Sequence, residues 1–327
     1  MKGWWKDTQL MKHPKLGVSM PAVGLGTWQG EPGTSDEGAM IDSLVHALQN
    51  GYRLLDTAQI YGVEPIVGKA LRKCGIPRKE ITVVTKFWGT WHHDPKEALN
   101  RSLQNMGLDY IDVFLMHWPF ANTPDWKVVR PNESPTIEET WRMMEDLLGP
   151  KCRAIGVSNF TQKTLDIILQ SAKVVPAVNQ IELHAFHPCL RLVPYCKSKG
   201  IHVMAWGTLG GGAKGPINEI LTHDTFVDMA KAKGCSPGVI SLSWAVQRGV
   251  TVIPKTKSKS RMDENISLVS LSEEEMDKIN SAHQAIRHCR TADDNPRMEV
   301  WIDGKKTVQG WTAEDLGWED EQGNFLT

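Results

Sequence analysis

The sequence predicts an α/β fold, a (β/α)8 TIM barrel with an N-terminal β-hairpin cap and a long C-terminal loop. Eight short apolar segments bounded by turns alternate with segments that carry helix signals. The apolar segments show no strict polar alternation, which is typical of parallel strands buried on both faces. A length of 327 residues is normal for one such barrel, so we expect a single domain over 1–327, with an open doubly wound sheet as the alternative.

The elements are predicted in chain order. The opening segment QLMKHPKLGVSM is predicted to form a short hairpin that turns at HPKLG and caps one end of the fold. Eight strands follow, predicted over residues 21–26, 52–56, 81–86, 110–117, 153–158, 176–181, 201–206 and 250–255.

Capping signals mark several of the helices between these strands. In segment 36–50, apolar residues recur at i, i+4 and i+8, Thr34 and Glu37 form a predicted capping box, and Asn50 begins a stop signal. The other predicted caps are Asp94 and Gly107 around one helix, Thr136 with Glu139 before a helix reaching Leu148, and Ser272 with Glu275 before a late helix.

Two stretches lack a strand or helix pattern. Residues 119–135 contain four prolines, and the tail 290–327 contains Trp301, Trp311 and Trp318. Long loops in compact domains are usually functional or disordered, and the aromatic content of the tail argues against plain disorder. We therefore expect both stretches to contribute to ligand specificity.

Composition narrows the class of protein. A net charge of −1 gives no reason to expect nucleic acid or a membrane surface as the main partner, and no apolar stretch is long enough to span a bilayer. The opening residues lack the apolar core and cleavage site of a secretory signal. The six cysteines form no CxxC pair, so we expect free thiols and a cytoplasmic location.

Four polar residues at or just beyond predicted strand ends form a candidate catalytic group. Asp56, Lys86 and His117 end the second, third and fourth predicted strands, and Tyr61 lies in the loop after the second. The carboxyl ends of barrel strands share one rim, so these side chains should meet there. A cation beside a phenol lowers the pKa of the phenol, a carboxylate holds the cation, and a neutral imidazole can hydrogen-bond a substrate oxygen. This combination can protonate a carbonyl oxygen while a hydride arrives from elsewhere.

Six segments of the chain together resemble the aldo-keto reductase superfamily, in particular its aldehyde reductase, xylose reductase and glycerol dehydrogenase branch. The resemblance covers roughly residues 8–285 and implies NADPH-dependent reduction of an aldehyde or ketone, with Asp56, Tyr61, Lys86 and His117 at the catalytic positions. The matching segments are LLDTAQIYGVEPIVGKAL, TVVTKFW, GLDYIDVFLMHWP, RAIGVSNF, PAVNQIELHAF and VIPKTKSKSRMDEN.

The same resemblance implies where NADPH or NADP+ is held. Ser158, Asn159 and Gln180 match positions that bind the nicotinamide carboxamide, and Trp206 matches an aromatic residue that stacks on the nicotinamide; the alternative for Trp206 is an ordinary core residue. The other expected contacts are Thr27, Trp28, Asp56, Gly207, Leu209, Gly210 and Ile253, with Lys255, Thr256 and Arg261 at the 2′-phosphate, Lys257 in the same basic cluster, and Glu264 and Asn265 by the adenine.

The basic cluster favours NADPH over NADH on physical grounds as well. Lys255, Lys257, Lys259 and Arg261 follow the last strand, where barrels commonly bind phosphate. The alternative is a solvated basic loop. Gly207 stands where the family usually has serine, which removes a hydroxyl and should weaken the hold on the cofactor.

We expect a small carbonyl compound, such as a short or sugar aldehyde, to bind against Trp28, Trp88, His117 and Trp118. Three alternatives remain: oxidation of a polyol or alcohol at the same site, a nicotinamide-binding sensor with little turnover, and a metal-dependent hydrolase. The last has little support, because His184, His187 and His202 lack an accompanying carboxylate set and no metal is expected. A monomer is expected, with a homodimer as the alternative.

Overall fold

The barrel predicted from the sequence is present and its sheet is closed. The computed structural model describes residues 11–12, 19–30, 33, 36–210, 217–285 and 298–318. Eight parallel strands form one sheet in the order β3-β4-β5-β6-β9-β10-β11-β12: Leu25–Gly26, Leu54–Asp56, Thr82–Phe87, Val113–Met116, Ile155–Ser158, Val178–Glu182, His202–Trp206 and Thr251–Val252. The nitrogen of Gly24 donates to the carbonyl of Val252 at 2.8 Å, and the nitrogen of Val252 donates to the carbonyl of Ala22 at 2.9 Å. These bonds join the first strand to the last.

Each predicted strand segment contains one observed strand, but the hydrogen-bonded ladder is often shorter than the apolar segment. The first and last strands are two residues each, although the predicted segments have six. In the first segment, the backbone of Gly24 packs directly against the side chain of Leu54. Any larger residue at this position would place its Cβ 2.2 Å from Cδ2 of Leu54. Apolar composition extends into the buried turns, so it does not show where strand pairing ends.

Helices cover the outside of the barrel. They are α1 Glu37–Gln49, α2 Glu64–Lys73, α3 Pro95–Met106, α4 Ile137–Glu145, α5 Gln162–Leu169, α6 Leu192–Ser198, α7 Ile217–Thr222, α8 Asp224–Lys233, α9 Pro237–Gln247, α10 Lys259–Asn265 and α11 Glu273–Ser281. None of these helices is long and apolar enough to cross a membrane.

Most of the predicted helix caps are confirmed. Asp94 accepts from the nitrogen of Glu97, and Gly107 ends α3 with a φ of 64°. The capping boxes that begin at Thr136 and Ser272 have both of their hydrogen bonds.

Two helix ends differ from the prediction. The cap of α1 is Asp36, whose carboxylate accepts from the nitrogen of Ala39 at 3.0 Å, whereas Thr34 lies outside the described residues. Helix α4 ends at Glu145 and does not reach Leu148. Beyond Glu145, a tighter turn replaces the helical bonding: the nitrogen of Leu148 donates to the carbonyl of Glu145.

An apolar layer fills the barrel below the rim. Side chains alternate along strands, so every second residue points inward. Leu54, Val113, Val178 and Met204 lie in one buried cluster with Met20 of the N-terminal hairpin. The hairpin pairs β1 Met11–Lys12 with β2 Ser19–Met20 and closes the amino-terminal end, as predicted; its predicted turn lies outside the described residues.

Both irregular stretches contain short hairpins, which the sequence analysis did not predict. Residues 119–135 form β7 Ala121–Asn122 and β8 Val128–Val129, and the tail forms β13 Glu299–Ile302 and β14 Lys305–Val308. The two hairpins contact each other: Nδ2 of Asn122 donates to Oε1 of Gln309 at 2.9 Å, and Arg130 pairs with Asp303 at 3.0 Å. The tail therefore packs against the loop that follows the fourth barrel strand.

At the amino-terminal end, the Asp112 carboxylate joins three segments of chain. Asp112 is 3% exposed and accepts from Arg78 at 2.6 Å, from Arg153 at 3.2 Å and from the nitrogen of Val83 at 2.9 Å. Both guanidinium groups also lie over the ring of Tyr110. Charged donors to a buried carboxylate make strong hydrogen bonds, so this cluster should stabilise the lower half of the barrel.

We expect Asp112→Ala to lower the free energy of unfolding by about 3 kcal/mol, the lower end for breaking a buried ion pair, because both arginines stay partly solvated. Urea denaturation measures the change. Asp125→Ala is the matched control, because Asp125 pairs with Lys127 at the surface, and it should leave the urea midpoint nearly unchanged. If the two substitutions lowered stability equally, the Asp112 cluster would not have the stabilising role that we assign to it.

Candidate active site

The structure brings the four predicted catalytic side chains together at the carboxyl-terminal rim. Asp56 ends β4 and Lys86 lies near the end of β5. His117 directly follows β6, and Tyr61 ends a 3-10 turn, Gln59–Tyr61, after β4. Asp56 and Lys86 are buried within the barrel mouth, and Tyr61 keeps some exposed surface although its hydroxyl group lies in buried surroundings.

A buried ion pair organises this group. Nζ of Lys86 donates to Oδ1 of Asp56 at 2.7 Å and to the carbonyl of Thr57 at 2.8 Å. The same Nζ lies 5.2 Å from the centre of the Tyr61 ring, and that ring lies 5.8 Å from the imidazole of His117. The ammonium group therefore stands between a carboxylate and a phenol, as the sequence predicted.

The direction of the Tyr61 pKa shift differs from the prediction. Burial raises the pKa of the phenol, the nearby Lys86 ammonium lowers it, and burial is the larger effect. The net pKa therefore lies above the usual value, and our expectation of a net shift toward neutral pH is wrong. The phenol keeps its proton at neutral pH, which is the form that a proton donor requires.

Burial and neighbouring charges also shift the pKa values of His117 and Lys86. Burial lowers the pKa of His117 far below its usual value, and Lys86 lowers it further, so the imidazole is neutral as expected. Burial also lowers the pKa of Lys86, but attraction to Asp56 and Tyr61 outweighs it and the net pKa lies above the usual range. Lys86 is therefore held as a cation.

The three expected carboxamide-binding residues lie beside the ion pair and are connected to one another. Oγ of Ser158 donates to the carbonyl of Gln180 at 2.8 Å, and the nitrogen of Asn159 donates to the same carbonyl at 2.8 Å. Nε1 of Trp206 donates to Oδ1 of Asn159 at 2.9 Å. Asn159 has a φ of 64°, which asparagine tolerates better than most residues.

Two hydrogen bonds tie this group to the catalytic one, and sequence reasoning missed both. Nε2 of Gln180 donates to Oδ2 of Asp56 at 2.6 Å, and Nδ2 of Asn159 donates to the carbonyl of His117 at 2.9 Å. The family resemblance assigned Gln180 to the carboxamide site, but no sequence signal gave its partner.

Aromatic side chains surround Tyr61 and His117. The ring of Trp28, which is 43% exposed, lies 4.9 Å from the ring of Tyr61, and Trp88 lies 5.2 Å from His117 in an edge contact. Trp118 is only 6% exposed and contacts Trp318 of the tail at 6.4 Å. Trp118 therefore supports the pocket wall from behind, whereas Trp28 is open to solvent.

The remaining expected cofactor contacts follow the strands around the rim. Thr27 is buried, and its Oγ1 has no hydrogen-bond partner within the described ranges. Gly207 and Gly210 both have positive φ and form a turn in which the nitrogen of Gly210 donates to the carbonyl of Gly207 at 2.6 Å. Leu209 is partly exposed and Ile253 is buried.

The basic cluster after β12 is exposed and leads into α10. Ser258 caps this helix, and Thr256 accepts from the nitrogen of Ser258 at 3.1 Å. In the part of the chain that the structure describes, no ion pair neutralises Lys255, Lys257 or Arg261. Burial, together with repulsion from Lys257, lowers the pKa of Lys255.

The two adenine-side residues on α10 differ in exposure: Glu264 is exposed and Asn265 is buried. A side chain that is already buried has less freedom to reach a ligand, so Glu264 is better placed for contact.

The histidines considered as metal ligands have other partners. Nε2 of His184 lies 3.0 Å from Oε1 of Glu182, and Nε2 of His202 lies 2.8 Å from Oγ1 of Thr251. Among the described residues, no three His, Cys, Asp or Glu side chains are grouped so that they could hold a metal ion.

Comparison with known proteins gives consistent results. Glycerol 2-dehydrogenase (NADP(+)) from Saccharomyces cerevisiae is 38% identical over 293 residues, covering 84% of this chain and 91% of that protein. D-galacturonate reductase from Hypocrea jecorina is 38% identical over 281 residues, covering 81% and 87%. The solved structure of aldose reductase from Giardia lamblia superposes with a TM-score of 0.73 at 34% identity, covering 83% and 95%.

The sequence profile of the aldo/keto reductase family matches residues 22–284. This range begins just before the first barrel strand and ends after α11, so it includes all eight strands and the four rim residues. The profile, the curated relatives and the solved structures agree, and the chain belongs to the aldo/keto reductase family.

Proposed function

We propose that this protein uses NADPH to reduce a small aldehyde or ketone to the alcohol. The observation that carries the proposal is the Lys86–Asp56 ion pair beside Tyr61, at the rim where barrel enzymes place their catalytic groups. A phenol flanked by a buried cation can give up a proton without leaving its negative charge unpaired.

The chain's own residues fit a nicotinamide cofactor with a 2′-phosphate. Ser158, Asn159 and Gln180 offer the amide and hydroxyl groups that recognise a carboxamide, and the partly exposed Trp206 offers a flat surface. Lys255 and Arg261, which form no ion pair among the described residues, carry cations that suit a phosphate monoester. Thr27, whose buried hydroxyl has no partner among the described residues, has the same need for a polar ligand. When bound, the cofactor supplies the hydride.

Each catalytic side chain has a distinct task. Tyr61 holds a proton at neutral pH because burial raises the pKa of its phenol, and it donates that proton to the substrate oxygen. Lys86 stabilises the phenolate that remains, and Asp56 neutralises and orients Lys86. His117, which is neutral, donates a hydrogen bond to the carbonyl oxygen of the substrate and so fixes the direction of that oxygen.

The same site can serve both directions of the reaction. Tyr61 donates a proton as a phenol in reduction, and its phenolate, stabilised by Lys86, accepts one in the oxidation of an alcohol. We place reduction first because relatives are named as aldehyde, aldose and D-galacturonate reductases. The yeast relative named as a dehydrogenase keeps alcohol oxidation open as the second candidate. A non-catalytic sensor is less well supported, because it would not need a buried ion pair aimed at a phenol.

The substrate class follows from the pocket wall. Trp28 and Trp88 provide flat apolar surfaces next to Tyr61 and His117, and such surfaces suit short aldehydes, sugar aldehydes and aromatic aldehydes. Relatives named for D-galacturonate, glyceraldehyde and aldose reduction support a hydroxylated carbonyl compound. The monomeric state, the single domain and the cytoplasmic location stay predictions.

The first test measures NADPH consumption with DL-glyceraldehyde, xylose and a nitrobenzaldehyde, with NADH in parallel. We expect turnover of at least one aldehyde with NADPH and slower turnover with NADH. NADPH binding without any turnover would favour the sensor, and an absence of NADPH binding would contradict the proposal.

Tyr61→Phe should lower kcat at least about 100-fold, because it removes the proton donor, while the Kd of NADPH stays unchanged. Stopped-flow turnover and fluorescence titration of NADPH measure the two quantities. Tyr195→Phe is the matched control, because the Tyr195 hydroxyl bonds Asp166 between two outer helices, and it should keep full activity. If the Tyr61→Phe enzyme still reduces the aldehyde at a substantial rate, another group donates the proton.

Arg261→Ala should raise the KM for NADPH about 10- to 100-fold, the loss expected when one hydrogen bond to a charged group is removed, and should leave the KM for NADH nearly unchanged. Steady-state kinetics with both cofactors give the comparison. The control is Arg101→Ala, which removes an exposed arginine that pairs with Glu97 on α3. If the KM values for both cofactors rise equally, the basic cluster does not bind the 2′-phosphate.

A further inference from the structure

The Asp56 carboxylate is held by a second donor besides Lys86. Nε2 of Gln180 donates to Oδ2 of Asp56 at 2.6 Å, and Nζ of Lys86 donates to Oδ1 at 2.7 Å. Gln180 lies on β10 and is 2% exposed, and 124 residues separate it from Asp56 in the chain. Each carboxylate oxygen therefore has its own donor, one from the catalytic group and one from the expected carboxamide site.

The backbone around Gln180 is fixed as well. Its carbonyl accepts from Oγ of Ser158 and from the nitrogen of Asn159, each at 2.8 Å. Gln180 also lies in the centre of the sheet, where β10 pairs with β9 and β11. The amide group is thus presented to Asp56 from a rigid strand, which suits a residue that must hold another in place.

We propose that Gln180 is a positioning residue for proton transfer, which holds Asp56 ionised and oriented toward Lys86 and so couples the nicotinamide site to Tyr61. This inference rests on the proposed function and adds to it. An amide N–H stabilises the ionised form of a carboxylate, and an ionised Asp56 keeps Lys86 charged. The charged Lys86 in turn accommodates the phenolate of Tyr61. Any shift of Gln180 when a cofactor binds would therefore reach Lys86 through two hydrogen bonds, and from Lys86 it would reach the ring of Tyr61, whose centre lies 5.2 Å from Nζ.

The positions of the groups around Asp56 agree with an effect that passes from Gln180 to Asp56, then to Lys86 and Tyr61. Lys86 faces Asp56 from β5 and Gln180 faces it from β10, and Tyr61 and His117 lie beyond Lys86. Burial raises the pKa of the Asp56 carboxyl, and both Lys86 and Gln180 oppose that rise. Loss of the Gln180 amide should therefore raise the pKa of Asp56 and make its charge harder to maintain.

The main experiment is Gln180→Met, which keeps a similar volume and removes the donor. With saturating NADPH and the aldehyde that the wild type reduces fastest, kcat should fall about 10- to 100-fold, as expected for losing one hydrogen bond to a charged group. The acid limb of the kcat–pH profile should move to higher pH, because a carboxyl with a raised pKa becomes protonated sooner as the pH falls. A higher KM for NADPH with unchanged kcat and unchanged pH profile would overturn the proposal and leave Gln180 as a cofactor contact alone.

Trp206→Phe is the matched control. Trp206 belongs to the same expected nicotinamide site, but its indole nitrogen donates to Oδ1 of Asn159 and to no catalytic side chain. We expect weaker NADPH binding and a kcat–pH profile with the wild-type acid limb. A shift of the acid limb in this control equal to that of Gln180→Met would assign the shift to cofactor binding and overturn the positioning role.

A direct measurement separates this inference from the proposed function. The carboxyl pKa of Asp56 can be followed by NMR in protein labelled with carbon-13 aspartate, with the signal assigned by its loss in Asp56→Asn. The pKa should be higher in Gln180→Met than in the wild type, whether or not any aldehyde is reduced. An unchanged pKa would overturn the inference even in an active enzyme. If Gln180→Met does not fold, Gln180→Glu tests the same contact, since a second carboxyl beside Asp56 should raise the pKa further.

Discussion

The buried ion pair of Lys86 and Asp56 is the interaction on which the active site depends. A lysine with no exposed surface is tolerated only if its charge is paired and its hydrogen bonds are made. Here Asp56 and the carbonyl of Thr57 meet that need from the neighbouring strand. The pairing fixes the register of β4 against β5 as well as the position of the ammonium group, so one contact serves both stability and chemistry.

Much of this arrangement could be predicted from the sequence, because position along a barrel strand determines position in space. Asp56 and Lys86 lie at the ends of predicted strands, so the sequence alone predicts that both side chains lie at the same rim of the barrel. The bond from Gln180 to Asp56 could not be predicted, since it joins side chains 124 residues apart and depends on rotamers. The sign of the Tyr61 pKa shift was also missed. A sequence shows that a cation is near, but not how completely water is excluded.

The irregular stretches show a different limit. Four prolines in 119–135 suggested a loop without regular structure, yet a short hairpin forms there because the tail supplies partners for it. Partners of this kind come from far along the chain and leave no local pattern. The contact between Trp118 and Trp318 has the same origin. The pocket wall is therefore assembled from two stretches that would each be poorly defined alone, and changes in the tail can alter the pocket without touching the catalytic residues.

Closure of the barrel has a consequence for how the protein is made. The contacts that join the first and last strands pair residues near opposite ends of the chain, such as Oγ1 of Thr251 with the carbonyl of Pro21, 230 residues earlier. On the ribosome, the amino-terminal strand therefore waits without its second neighbour until nearly the whole family domain has emerged. During that interval the strand edge is exposed to other chains. The paired strands β1 and β2, of which Met20 meets the barrel interior, are synthesised before that edge and can shield one end of the nascent sheet.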